Sequence, residues 1–249
     1  MKIIKTAAAL KKVLPKNKTL GFVPTMGALH EGHLSLIKKS IRDNDFTIVS
    51  IYVNPTQFND KKDLKNYPIT IEQDIKKLAA AGVDFLFMPS YKEMYPDGYS
   101  YRAAENNISK TLCGASRPGH FEGVLTIVLK LLNLIQPAKA YFGEKDFQQY
   151  LLIKGMARAF FIKTRIIPCK IIRENDGLAK SSRNALLSAE QRARAPLFNK
   201  ILRSKKNIPA IKKELAAAGF QVDYIEEKYD RIFGAVFAGK VRLIDNVKR

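Results

Sequence analysis

Five short apolar runs, each parted from the next by a segment with helical spacing, constrain this 249-residue chain more than any other feature. They cover residues 20–24, 46–53, 83–89, 138–143 and 164–172, and the second is rich in β-branched residues. Such runs suit strands buried on both faces of a parallel sheet. Between them, residues 33–43, 70–81, 121–135 and 147–160 carry helical periodicity. Thr70-Ile-Glu-Gln73 offers a capping box at one helix start, and Gly82 a stop for the same helix. The alternation predicts a doubly wound parallel α/β domain over residues 1–175.

The pattern then changes. Residues 176–184 are polar and turn-prone, and Ser188-Ala-Glu-Gln191 caps a helix expected to run to about Arg203. A second helix, over about 209–218, ends at Gly219, and two strand-like segments follow at 220–229 and 241–247. Residues 176–249 therefore read as a small α+β C-terminal appendage, with the hinge near Asp176 and Gly177.

Charge narrows the function classes. Lys and Arg number 43 against 23 Asp and Glu, a formal net charge of +20, and the excess is concentrated after Tyr150. Such a balance fits nucleic-acid binding or an active site that handles phosphates. No zinc-finger spacing, aromatic RNA-binding segment or basic heptad region accompanies it, which favours phosphate handling and makes nucleic acid an unlikely partner. The longest apolar stretch, 124–135, is interrupted by Lys130 and Asn133 and falls short of the ~20 residues that span a bilayer. Met1-Lys-Ile-Ile-Lys5 has the charge of a signal-peptide start, but Lys11 and Lys12 break the apolar segment behind it. Two cysteines make neither a disulfide framework nor a four-ligand zinc site. The expected setting is cytoplasmic, with no membrane.

The chemistry gathers where strands hand over to helices. Pro24-Thr-Met-Gly-Ala-Leu-His-Glu-Gly-His33 directly follows the first run, and ligands of such sheets bind at the carboxyl ends of the strands. The helix starting near Gly32 aims its free N–H groups and positive dipole end at that site. His30 and His33 share one face of its first turn and can donate hydrogen bonds to phosphate oxygens as charge develops. A zinc pair and a structural histidine pair remain alternatives, although HEGH is one residue short of HExxH and no third ligand is evident. Asn54-Pro-Thr-Gln-Phe58 and Gly143-Glu-Lys-Asp-Phe-Gln-Gln149 follow two further runs and fall on the same sheet edge. Gln57 and Gln149 can read the oxygens of a small substrate. Lys145 supplies a cation for phosphate, and Asp146 an acceptor for ribose or a metal-bound water. Gly177-Leu-Ala-Lys-Ser-Ser-Arg-Asn184 adds two hydroxyls and a guanidinium able to fold over a triphosphate.

Together these stretches, with YPDG, SRPGHFEGV, LKLLNLIQP and RLIDN, resemble the pantothenate synthetase (pantoate–β-alanine ligase) family of the HIGH-motif nucleotidyltransferase superfamily, in the family's order from Pro24 to Asn246. The resemblance implies a Rossmann-like domain with a small lid, a homodimer, ATP as substrate with Mg²⁺, and AMP-forming condensation of pantoate with β-alanine through pantoyl adenylate. It implies an ATP site at Met26, Gly27, Ala28, Leu29, His30, Glu31, Gly32 and His33, continued by Gly143, Glu144, Lys145 and Asp146. Ile172, whose backbone would contact adenine, and Lys180, Ser181, Ser182 and Arg183 complete that site. His33 is implied as proton donor, with His30 and Lys145 beside it in catalysis, and Gln57 and Gln149 as pantoate and β-alanine contacts. Asn54, Arg117 and His120 are placed near the pantoate pocket. Three positions depart from the family pattern: Lys180 stands where the family is usually apolar, Cys113 where Glu is common, and Glu72-Gln-Asp74 offers one carboxylate fewer around a metal.

Overall fold

The computed structural model describes residues 1–249, the Lys61 side chain apart. Six strands form one sheet: Lys2–Ile4 (β1), Leu20–Thr25 (β2), Phe46–Ile51 (β3), Phe85–Phe87 (β4), Lys139–Gly143 (β5) and Arg165–Cys169 (β6). Their order is β1-β4-β3-β2-β5-β6, and every pairing is parallel. From β2 the chain order runs outward through β3 and β4 on one side, and β5 and β6 follow on the other, with β1 added beyond β4, so the switch point of this doubly wound sheet lies between β2 and β5. Phe22, Ile48 and Phe142 face the helix His120–Ile135, and Val23, Val49 and Leu86 face the helices Glu31–Asp43 and Ile71–Ala80. Both faces are thus buried, as the unbroken apolar runs require.

Residues 176–249 hold a second core built on an antiparallel sheet of Gln221–Lys228 (β7), Arg231–Ala238 (β8) and Val241–Lys248 (β9). Four differences from the expected elements appear here and in the larger domain. The C-terminal sheet has three strands where two were expected. The missing one, β8, is its centre and is buried at nearly every position, so it lacks the polar alternation that marks a half-exposed strand. The helix expected to reach Arg203 is divided into Ala189–Arg194 and Pro196–Leu202, because Pro196 has no N–H to continue the ladder. The capping box at Ser188 and Gln191 forms, whereas Thr70 makes no cap and gives its hydroxyl to Asp74 at 3.2 Å. β1 is a further strand, three residues long and at the sheet edge, too short to leave a periodic signal.

Among the described residues no helix is long and apolar enough to cross a membrane. Cys113 and Cys169 are both free.

Candidate active site

Because the strands are parallel, the loops after β2, β3, β5 and β6 leave the sheet at one edge, and they enclose a cavity of about 240 Å³. The first loop is set by backbone geometry. Gly27 and Ala28 both take positive φ, 83° and 49°, the second an uncommon conformation for a residue with a Cβ. Their turn is held by Asp74, which has no solvent exposure and accepts the N–H groups of Ala28 and Leu29, each at 2.8 Å. Lys77, one turn further along the same helix, donates to the Leu29 carbonyl. Asp74 is therefore committed to holding this turn.

His30 caps the next helix. Gly32 N–H donates to His30 Nδ1 at 3.1 Å, and His30 N–H donates to His33 Nδ1 at 3.4 Å. With Nδ1 accepting in both rings, the neutral imidazoles carry their proton on Nε2. The rings lie 4.1 Å apart and both line the cavity. Burial, then the neighbouring His30 and Lys145, lowers the His33 pKa to about 3. Burial and Lys145 lower that of His30 to about 4. Each ring is thus a neutral N–H donor at physiological pH.

Gln57 and Gln149 both line the cavity. Gln57 ends the turn Pro55–Gln57, which packs against the start of the helix His120–Ile135 at Gly123. A Cβ there would run into the Thr56 carbonyl. The Gln57 carbonyl accepts from His120 Nδ1 at 2.8 Å and from the Arg117 guanidinium at 3.1 Å, while Arg117 also donates to His120 Nε2 at 3.1 Å. Burial and Arg117 lower the His120 pKa to about 3, which keeps the imidazole neutral beside the guanidinium. Arg117 and His120 therefore stand behind Gln57 and do not line this cavity. Asn54 does line it, and its amide is engaged by Tyr95 and by the Gly123 carbonyl.

Met26, Gly32, Gly143, Lys145, Asp146 and Ile172 line the cavity with these groups, as do Lys180, Ser181, Ser182 and Arg183 on the facing segment. The Ile172 carbonyl accepts the Lys180 N–H at 3.0 Å. Lys180 lies between Glu31 at 2.7 Å and Glu174 at 3.0 Å, so its charge is already matched by two carboxylates. Ser181 caps the turn Ser182–Leu186, and Arg183 donates to Asp63 at 2.9 Å. Five residues expected in the ATP site stand outside the lining. Gly27, Ala28 and Leu29 are occupied by the turn and Asp74, Glu31 turns to Lys180, and Glu144 accepts from Arg231.

Several lining residues escaped the sequence reading. Tyr67 lies beneath the Arg183 guanidinium, 5.7 Å from its carbon to the ring centroid. Val124, Ile127, Val128 and Leu131 form an apolar wall. Their i, i+3, i+4, i+7 spacing was legible but marks core and cavity wall alike. Among the described residues no three His, Cys, Asp or Glu side chains group closely enough to hold a metal ion.

An open parallel sheet that delivers a histidine-bearing helix start, two glutamines and a Lys–Ser–Ser–Arg segment to one edge defines an α/β protein built to bind a phosphorylated ligand beside a small polar one. The chain belongs to the pantoate–β-alanine ligase family, whose model matches residues 2–248. It is 53% identical over 230 residues to a pantothenate synthetase of Bdellovibrio bacteriovorus, covering 92% of each chain. To one of Legionella pneumophila it is 50% identical over 236 residues, 95% of this chain and 94% of the other. The fold matches the crystal structure of a Francisella tularensis pantoate–β-alanine ligase complexed with beta-gamma ATP and β-alanine, with TM-score 0.95 and 46% identity, covering 100% of this chain and 97% of that one. It also matches a pantothenate synthetase of Thermus thermophilus, with TM-score 0.94 and 38% identity, covering 100% of this chain and 99% of that one.

Proposed function

We propose that this chain condenses pantoate with β-alanine at the expense of ATP. In the first step a pantoate carboxylate oxygen attacks the α-phosphorus, the bond to the β-phosphate oxygen breaks, and pyrophosphate leaves. In the second the β-alanine amine attacks the acyl carbon, AMP departs with the bonding pair, and the amine gives up its proton. The observation that carries this reading is the convergence on one cavity of Gln57 and Gln149 with His30, His33, Lys145 and Arg183, in a chain of this family.

Each group has work suited to its chemistry. The Nε2–H groups of His30 and His33 donate to phosphate oxygens whose charge grows in the transition state, and Lys145 balances that charge. The two glutamines orient pantoate while the Val124–Leu131 wall takes its carbon skeleton, holding the carboxylate near the α-phosphorus. Ser181, Ser182 and Arg183 receive the outer phosphates. Mg²⁺ fits this donor set as a companion of ATP, since it favours phosphate oxygens and water with one or two carboxylates. Asp146, half exposed beside Lys145, is the carboxylate placed to hold it, and the ion would offset phosphate charge. Residues 176–249 would act as the lid, and the protein would work as a cytoplasmic homodimer.

The test is AMP release with each substrate omitted in turn. AMP is expected only when ATP, pantoate and β-alanine are all present with Mg²⁺, and folded protein that makes none refutes the reading.

A further inference from the structure

The RLIDN stretch near the C-terminus has no place in the chemistry above, yet it touches that chemistry directly. On β9, Leu243, Asp245 and Val247 face the second core or its helices, where Asp245 accepts from Asn199 at 2.8 Å. Alternation turns Arg242, Ile244 and Asn246 to the other side, against the larger domain. Asn246 is 1% exposed, and its whole amide is engaged. Nδ2 donates to the carbonyls of Glu144 at 2.8 Å and Lys145 at 3.0 Å, and Oδ1 accepts from Arg231 at 2.7 Å. Arg231 is itself 6% exposed. It donates to the Glu144 carboxylate at 3.2 Å and lies 4.0 Å over the Phe147 ring. The turn Glu144–Asp146 is thus gripped by backbone from one side, while Lys145 projects from the other into the cavity.

We propose that Asn246 is a positioning residue for adenylation: its amide, braced by Arg231, sets the height of the Lys145 turn and so the place of the ammonium against the phosphates. This rests on the function proposed above. Two donors on adjacent carbonyls fix both the position and the tilt of a three-residue turn, which one contact could not do. The C-terminal sheet therefore takes part in catalysis through backbone contacts to the larger domain.

Asn246→Asp is the sharpest probe. It keeps shape and the Arg231 partner but replaces both donors with acceptors facing two carbonyls. Pantoate-dependent exchange of pyrophosphate into ATP is expected to fall in kcat by roughly 10- to 100-fold, the scale of an ångström misplacement. Consumption of preformed pantoyl adenylate with β-alanine should change far less. In a Lys145→Ala background the same substitution should add almost nothing, because the residue it acts through is gone. Asn246→Ser, which keeps one donor, should give a smaller loss in the same order and serves if the Asp variant does not fold. Undiminished exchange in a folded variant overturns the proposal. So does an equal loss in both half-reactions, or an undiminished effect in the Lys145→Ala background. Wild-type enzyme measured alongside separates the two readings: if it forms no AMP, the proposed function itself has failed.

Discussion

On the sheet side of the cleft, the first loop rests on Asp74, which is fully buried and spends its oxygens on two backbone N–H groups. On the facing side, Lys180 and Arg183 are held by Glu31, Glu174 and Asp63, whose side chains are 64%, 31% and 37% exposed. A buried carboxylate bonded to backbone cannot be exchanged without exposing unpaired donors, whereas partly exposed ion pairs are worth about 0–1 kcal/mol and trade partners readily. On the proposed function the two walls would have different roles. The histidine loop would be a fixed template for the reacting phosphate. The Lys–Ser–Ser–Arg segment would be a clasp whose cations leave carboxylates for the phosphates of an incoming nucleotide.

The strongest test of the fixed wall is His33→Ala. Its adenylation rate should fall by about 10²–10³-fold, the scale for losing one transition-state donor, while the melting temperature stays near that of wild type. An unchanged pyrophosphate-exchange rate would remove His33 from catalysis. Asp74→Ala comes next, leaving two N–H groups unpaired in a turn where Ala28 has positive φ. We expect a stability loss of about 2–4 kcal/mol by denaturant titration, together with slower adenylation. A stable, active Asp74→Ala would show that the loop holds its shape unaided.

Acidity sharpens the same contrast. The pKa values of His33, His30 and His120 are lowered to about 3, 4 and 3, against the ordinary 6.5. Between about pH 4 and 6.5 the unfolded chain therefore binds more protons than the folded one, and stability must rise with pH through that window and flatten above it. Thermal melts from pH 4 to 8 measure this. The adenylation rate should show no ionisation from these histidines near pH 6.5, because they are already neutral there. The smallest effect belongs to the clasp. Lys180→Met should leave the melting temperature near that of wild type and shift the KM for ATP a few-fold, with a weaker dependence on salt than wild type. A large loss of stability would mean that the ion pairs hold the fold and do not exchange.

Much of this site is legible in the chain because its residues sit in the connections between strongly patterned elements. The runs at 20–24, 46–53 and 138–143 become β2, β3 and β5, and parallel pairing brings their following loops to one edge. What stayed hidden depends on contacts between distant segments. Asp74 lies in an ordinary amphipathic helix, and nothing in its neighbours announces that Ala28 and Leu29 will meet it. Tyr67 and Asp63 gain meaning only when Arg183 arrives from across the cleft. β8 escaped because its central position buries it throughout. Lys180 was seen as added charge near a triphosphate, but its two carboxylate partners are separated from it or from each other in sequence and meet only in the fold.

Isotope exchange between pyrophosphate and ATP, run with pantoate but without β-alanine, isolates the step at which these side chains are proposed to act together. We expect exchange that requires pantoate, needs no β-alanine, and collapses in His33→Ala. Exchange that proceeds without pantoate, or only once β-alanine is added, would contradict it.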